Sequence, residues 1–399
     1  LGDMLKGVQD MFGGGKDKKD PSDFDDDGLI DSDHAEAIKA LKTLTVENIK
    51  RRYLPRLPRA ILHQNVEFAP SAKEGDDAVT LDFQDRAAKR FAKDAELKAH
   101  DIDFSFLDAT MLGQKFTISN WWIVKCGFDG KDTTMVFDTG AASMIVLDQK
   151  FANSLDIGAS LTIQVKGVGE SESTFGLVNS YNVAGQEFTE EYGAIVLDLA
   201  ALSDQIGALS NLGIKVETPS GLLGLPYAMR HKSMVVNNLT KKISFVPYTA
   251  EEIKEVEFNP YESNSLVVEA VKKTWDGSAG STGFLGEPLN LVDWPEEAAE
   301  GGGVVVTQVR KGSGAEKNGL EKGDLILAIV GDPNDPSSEE QEPVTDYDSL
   351  KLFAAYVGKG QTWSLLIKKK RSGKKIVQDF ELGPVKSSKI VIPKRYKKE

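Results

Sequence analysis

A single cysteine, Cys126, stands in 399 residues, so an internal disulfide is excluded. It lies in an apolar strand, where a buried thiol acts as a small hydrophobe. Four histidines, scattered along the chain, offer no Cys/His ligand set for zinc. Positive charge is in deficit: 48 Lys and Arg against 61 Asp and Glu leave a net charge of −13. That balance argues against nucleic acid as the main partner. No apolar run approaches the length that spans a bilayer. What remains is an ordinary globular composition, 40% hydrophobic and 27% charged. The length predicts two or three domains.

The most informative stretch is 133–147, Thr-Thr-Met-Val-Phe-Asp-Thr-Gly-Ala-Ala-Ser-Met-Ile-Val-Leu. An apolar strand runs straight into Asp138-Thr139-Gly140-Ala141, which places a carboxylate in a tight turn at a strand end. Gly140 can bring backbone amides close to a charge, and Thr139 can hydrogen-bond across the loop. Upstream, Trp121 to Phe128 and Thr134 to Phe137 bracket Asp129-Gly130-Lys131-Asp132 and read as a hairpin. Downstream, Gly167-Val168-Gly169 sits among polar residues as a mobile hairpin tip. Then come Ser220-Gly221-Leu222-Leu223-Gly224-Leu225 and a closing strand, Ile243 to Pro247.

In that order (hairpin, Asp-Thr-Gly-Ala, glycine-rich tip, Gly-Leu-Leu-Gly, closing strand), residues 118–248 resemble the retropepsin-like aspartyl proteases. The resemblance implies a β-barrel domain over 118–250 with Asp138 as catalytic carboxylate. Thr139 would bond to the partner loop, and Gly140 would present its amide. Gly167, Val168 and Gly169 would close over substrate. Gly221, Leu222, Leu223 and Gly224 would start a small helix buttressing the catalytic loop. Peptide hydrolysis by carboxylates needs two such groups sharing one proton. The ionised one activates water while the protonated one polarises the scissile carbonyl. A second Asp-Thr-Gly or Asp-Ser-Gly in apolar strand context is absent. The economical solution is a homodimer in which Asp138 meets its own mate across a two-fold axis. The other reading is a catalytically inactive scaffold or assembly factor built on the same fold. Pro226, and Asn237-Asn238 where such domains often carry an Asp, are the departures that keep it open.

From Gly301 the pattern changes. Gly303 to Val309 reads as a strand, Lys311 to Leu320 as a turn and short helix closed by Gly319, and Gly323 to Gly331 as a turn and buried strand. Asp346 to Val357 carries Leu350, Phe353, Ala354 and Val357 on one helical stripe. Trp363–Ile367 and Ile376–Leu382 form a hairpin around Ser372-Gly373. This stretch, 265–384, resembles a PDZ domain of the protease-associated and plastid type. The resemblance implies binding of a partner's C-terminal peptide by strand addition. Gly283, Phe284, Leu285 and Gly286 would form the carboxylate-binding loop, Leu289 and Leu291 the groove strand, and Leu350 and Ala354 the side-chain pocket. The polar insertion 332–340 reads as a solvated loop.

The N-terminal third carries no family pattern. Residues 1–34 read as an acidic, flexible segment and 35–117 as a helical or irregular region, with Phe83 to His100 as a surface helix. Asp23, Asp25, Asp27 and Asp31 partly match a calcium loop, but position twelve, where a bidentate Glu belongs, is His34. A solvated acidic linker is the expectation, with no metal and no cofactor. The tail 385–399 is basic and offers a contact for an anionic membrane surface. The fold class is mainly β with α: a retropepsin-like barrel plus a PDZ domain after a helical N-terminal region. The partners are a peptide or protein substrate and a second copy of the chain. The plastid likeness and the non-Met first residue, Leu1, point to the chloroplast, with a soluble bacterial protein as the alternative.

Overall fold

His-Asp-Ile-Asp-Phe-Ser-Phe-Leu-Asp, residues 100–108, alternates apolar and polar residues with a period of two, as a strand with one buried face requires. In the computed structural model of the chain, Ile102, Phe104 and Leu107 are buried while Asp101, Asp103, Ser105 and Asp108 face water. The structure describes residues 66–69, 78–83, 98–111, 114–141, 143–165, 171–199, 215–216, 218–254, 264–289, 294, 297, 302–331, 341–344, 346–386 and 389–397. The acidic run with Asp23, Asp25, Asp27 and Asp31, the tip Gly167–Gly169, Leu291 and the insertion 332–340 lie outside them.

The first part of the chain gives strands β1 (Val66–Ala69), β2 (Ala78–Phe83), β3 (His100–Met111), β4 (Gln114–Phe128), β5 (Lys131–Asp138) and β6 (Ile145–Asp148). Helix α1 (Gln149–Leu155) follows, then β7 (Thr162–Val165), β8 (Ser171–Val178), β9 (Tyr181–Val183), β10 (Gln186–Phe188), β11 (Tyr192–Leu197), β12 (Lys215–Val216) and β13 (Gly221–Gly224). Helix α2 (Leu225–Ala228), strands β14 (Ser233–Asn237) and β15 (Lys242–Val246) and helix α3 (Ala250–Lys254) complete it. Among the described residues these strands form one sheet in the order β1-β2-β14-β15-β3-β4-β5-β13-β6-β11-β8-β7, with β9, β10 and β12 attached at its side.

Two expectations change here. The helical region expected over 35–117 contains β1, β2 and β3, and β2 pairs with β14 over Ala78 to Asp82, so this segment extends the Asp138 sheet. The reason is the period-two patterning of 100–108, which opposes a helix. The expected surface helix 83–100 is a strand at both its first and last residue, and 84–97 are not described. The hairpin expected at Asp129-Gly130 is present as β4–β5, with both residues at positive φ.

The second part begins with helix α4 (Asn264–Asp276) and continues as β16 (Gly280–Ser281), β17 (Phe284–Pro288), β18 (Val304–Val309), α5 (Gly314–Lys317), β19 (Leu325–Val330) and β20 (Gln341–Pro343). Then come α6 (Tyr347–Val357), β21 (Thr362–Lys368), β22 (Lys375–Glu381) and β23 (Gly383–Pro384). The sheet order is β17-β18-β19-β21-β22 with β20 on β19. Asp346 caps α6, its Oδ1 accepting the Ser349 N–H at 2.7 Å.

The two parts share a core. Val146, Phe175, Leu177 and Ile195 of the Asp138 sheet join Val267, Val271 and Trp275 of α4 and Leu350 and Phe353 of α6 in one apolar cluster. Helix α4 lies so close to β11 that a Cβ at Gly193 would stand 2.4 Å from the Val267 side chain. Asn264 seals the contact, accepting the Gly193 N–H at 3.0 Å and donating to the Glu191 carbonyl at 2.9 Å. Among the described residues no helix is long and apolar enough to cross a membrane.

Candidate active site

Strand β5 delivers Asp138 at its last residue, half-buried, with Thr139 half-buried and Gly140 exposed. The Gly140 N–H donates to Asp138 Oδ1 at 2.8 Å, and the Ala141 N–H closes the turn on the Asp138 carbonyl at 3.1 Å. A Cβ at residue 140 would sit 3.2 Å from that same carboxylate oxygen. Glycine there lets the backbone serve the charge at close range.

Strand β13 holds this turn from beneath. It inserts between β5, which it pairs in parallel, and β6, which it pairs antiparallel, with Gly224 opposite Asp138. The Gly224 N–H donates to the Met144 carbonyl at 2.8 Å. A Cβ on Gly224 would fall 1.9 Å from the Ser143 carbonyl oxygen, and one on Gly221 2.0 Å from that of Val146. Glycine at both ends of Gly-Leu-Leu-Gly is therefore what allows the strand to pass. The small helix expected to start over Gly221–Gly224 does not: those residues are strand β13, with Leu223 buried and Leu222 half-buried, because they pair with β5 and β6. Helix α2 starts only at Leu225 with Pro226 in its first turn, where its missing N–H costs nothing. Pro226 is thus compatible with the helix. Asn237 turns the β14–β15 hairpin, its Oδ1 accepting the N–H groups of Leu239 and Thr240, each at 3.0 Å.

Sequence reading passed over Trp121 as a site residue. The antiparallel register pairs Trp122 with Phe137, the residue before Asp138, and the neighbouring Trp121 is 37% exposed. Counting outward from the Asp129-Gly130 turn would have found it. Cys126 is buried, and burial pushes its thiol up to about 12, so it is inert.

Beyond α2 lies a buried histidine. His231 Nδ1 contacts the Ala228 carbonyl at 3.2 Å, which requires the proton on Nδ1 because a carbonyl only accepts. Its Nε2 is buried and makes no hydrogen bond. The ring packs on Phe245 at 4.5 Å and on His100 at 4.9 Å. Burial first, then the neighbouring His100 and Arg230, drives the His231 pKa down to about 3. A histidine charged in the unfolded chain from its ordinary value of 6.5 but neutral in the fold makes the unfolded state the better proton binder below that value. Stability contributed by neutral His231 is therefore present above pH 6.5 and lost as pH falls towards 3, by about 1.4 kcal/mol per pH unit. His231→Phe should flatten this acid limb, measured as the urea midpoint against pH; an unchanged slope refutes the assignment.

In the second part, β17 forms an edge of its sheet. Gly283 has φ +76°, Phe284 is buried, Leu285 is 48% exposed and Gly286 sits at a register shift. Leu289 is described directly after the strand and donates its N–H to the Gly303 carbonyl at 3.0 Å. Leu350 and Ala354, expected to line a pocket, are wholly buried in the shared core. Tyr347, unassigned from sequence, donates its hydroxyl to the Phe284 carbonyl and so ties the start of α6 to this loop.

No family model matches this chain, and no curated protein matches it. Among solved structures, a retropepsin-like aspartic protease from Rickettsia conorii is 17% identical over 38% of this chain and 91% of its own, with a TM-score of 0.24. The HtrA-type protease AlgW with decapeptide is 12% identical over 78% of this chain and 77% of its own, at a TM-score of 0.24. A serine endoprotease from Yersinia pestis is 14% identical over 66% of this chain and 94% of its own, at 0.22. Likenesses this slight fix neither the fold nor the activity, and the geometry above stands without them. No group of three or more His, Cys, Asp or Glu placed to hold a metal ion occurs among the described residues.

Proposed function

We propose that the protein is an aspartic endopeptidase that acts as a homodimer. The observation that carries this reading is the Asp138-Thr139-Gly140 turn, with the Gly140 amide on the carboxylate and Gly224 wedged opposite it. The Gly140 amide fixes the orientation of the carboxylate, and the exposure of Gly140 leaves the turn open to a second copy. The mate's Asp138 would supply the second carboxylate of the pair. The ionised carboxylate takes the proton of the attacking water, while the protonated one donates to the scissile carbonyl oxygen.

The second part fits a PDZ-type recruiting domain. The place of β17 at the edge of its sheet among the described residues and an exposed Leu285 suit strand addition by a partner's C-terminus. The scaffold reading rests on the single Asp-Thr-Gly turn in the chain, since one carboxylate alone performs no such chemistry.

Sedimentation equilibrium with and without a statine-type transition-state mimic separates the two readings. The enzyme should dimerise and bind one mimic per dimer, because such analogues bind a competent site. A chain that stays monomeric at every concentration and ignores the mimic is a scaffold.

A further inference from the structure

The basic C-terminal segment, expected to offer a contact for an anionic membrane surface, runs back across the first part of the molecule. Val391 and Ala159 exchange both backbone hydrogen bonds at 2.8 Å, so the segment adds a bridge to the chain entering β7. The Ala159 carbonyl also accepts the Trp275 indole N–H at 3.0 Å. Pro393 lies over Gly158, where a Cβ would come within 2.6 Å of its ring. Asp156 and Gly158 both hold positive φ, +54° and +76°, and shape this edge.

The side chains that follow have equally defined partners. The Lys394 N–H donates to Asp156 Oδ2 at 3.0 Å. Arg395 Nη2 donates to the Leu177 carbonyl at 2.7 Å, while its Nη1 stands 3.5 Å from Asp129 Oδ2 at the β4–β5 turn. The Tyr396 ring packs on Trp275 at 4.8 Å, and its hydroxyl donates to Glu191 Oε1. Glu191 also receives the Lys272 ammonium; burial alone would push its carboxyl up, but the hydrogen bonds from Lys272 and Tyr396 outweigh that and hold it below its ordinary value.

From these contacts we propose that residues 389–397 are a latch: an intramolecular peptide ligand seated in a track on the Asp138 sheet. The track offers a strand edge to the backbone, an open glycine to the proline ring, a carbonyl and a carboxylate to the guanidinium, and an indole face to the tyrosine. Its chemistry selects a Val-x-Pro-x-Arg-Tyr segment, extended to Pro393 and then wound into one 3-10 turn over Lys394–Tyr396. The latch closes the molecule at a second point, because Trp275 ends α4 and Asp129 turns the hairpin that leads to Asp138. Through Trp275 it also touches α4, which packs on β11. The inference is independent of whether Asp138 catalyses anything.

The test compares the intact full chain with the full chain carrying Arg395→Ala and Tyr396→Ala. Amide exchange should show Val391 and Ala159 protected in the intact chain and exchanging at least about tenfold faster in the variant, with Val124 and Leu365 unchanged in both. A fluorescein-labelled peptide of residues 386–399 should be captured by the variant, whose track is loosened, at least about tenfold more tightly than by the intact chain. The same peptide bearing both substitutions should not be captured. Unchanged exchange at Val391, equal capture by both chains, or equal capture of both peptides overturns the latch. Should the double variant lose protection at Val124 as well, Arg395→Lys decides alone: faster exchange confined to Val391 and Ala159 supports the latch, and none overturns it.

Discussion

Asp138→Asn is expected to lower peptide hydrolysis by about 10²–10⁴-fold or more, the range that removal of a general acid or base spans. Both subunits of a symmetric dimer lose their carboxylate at once, so the upper end is the expectation. The amide of Asn keeps the shape and an oxygen for the Gly140 N–H, which donates at 2.8 Å in the parent. Fold and dimer should therefore survive, as read by circular dichroism and sedimentation. What disappears, on the proposed function, is the charge that would draw a proton from water. A variant that cleaves a peptide library at the parental rate would remove Asp138 from the mechanism, whatever its surroundings.

Gly224→Ala should cost about 3 kcal/mol or more, at the upper end of what overpacking produces. The added methyl would meet the Ser143 carbonyl at 1.9 Å and that of Ala141 at 2.8 Å, and both are backbone atoms without a rotamer to change. Relief requires moving either β13 or the loop that follows Asp138, so stability and activity should fall together. Denaturant unfolding reads the first and turnover per folded molecule the second. A variant as stable as the parent would mean that β13 does not thread between β5 and β6 as described.

Much of this was legible in the residues. The Asp129-Gly130 turn, the strand ending at Asp138 and the Gly-Leu-Leu-Gly run each carry a local signal, because turn chemistry and glycine placement are decided by nearest neighbours. The helix 347–357 and the hairpin 362–381 were visible for the same reason, through a capping Asp346 and a period that switches from 3.6 to 2. The β3 strand falls in the region expected to be helical or irregular, although Ile102 and Phe104 alternate there with Asp101 and Asp103. Long-range pairing was not legible at all. Nothing local says that Val391 will bridge Ala159, that Val267 will press on Gly193, or that Leu350 will face a core instead of a groove. Those outcomes depend on surfaces brought together from distant parts of the chain.

The intrusion of β13 between β5 and β6 also has a kinetic meaning. Strands that are near neighbours in sequence are kept apart by one made far downstream, so their mutual geometry waits on a long loop closing. A ribosome-bound chain that has emerged only as far as Asp138, or even as far as α1, holds the carboxylate without its scaffold. On the proposed function, Asp138 could act only late in biogenesis, once Gly224 has taken its place opposite it.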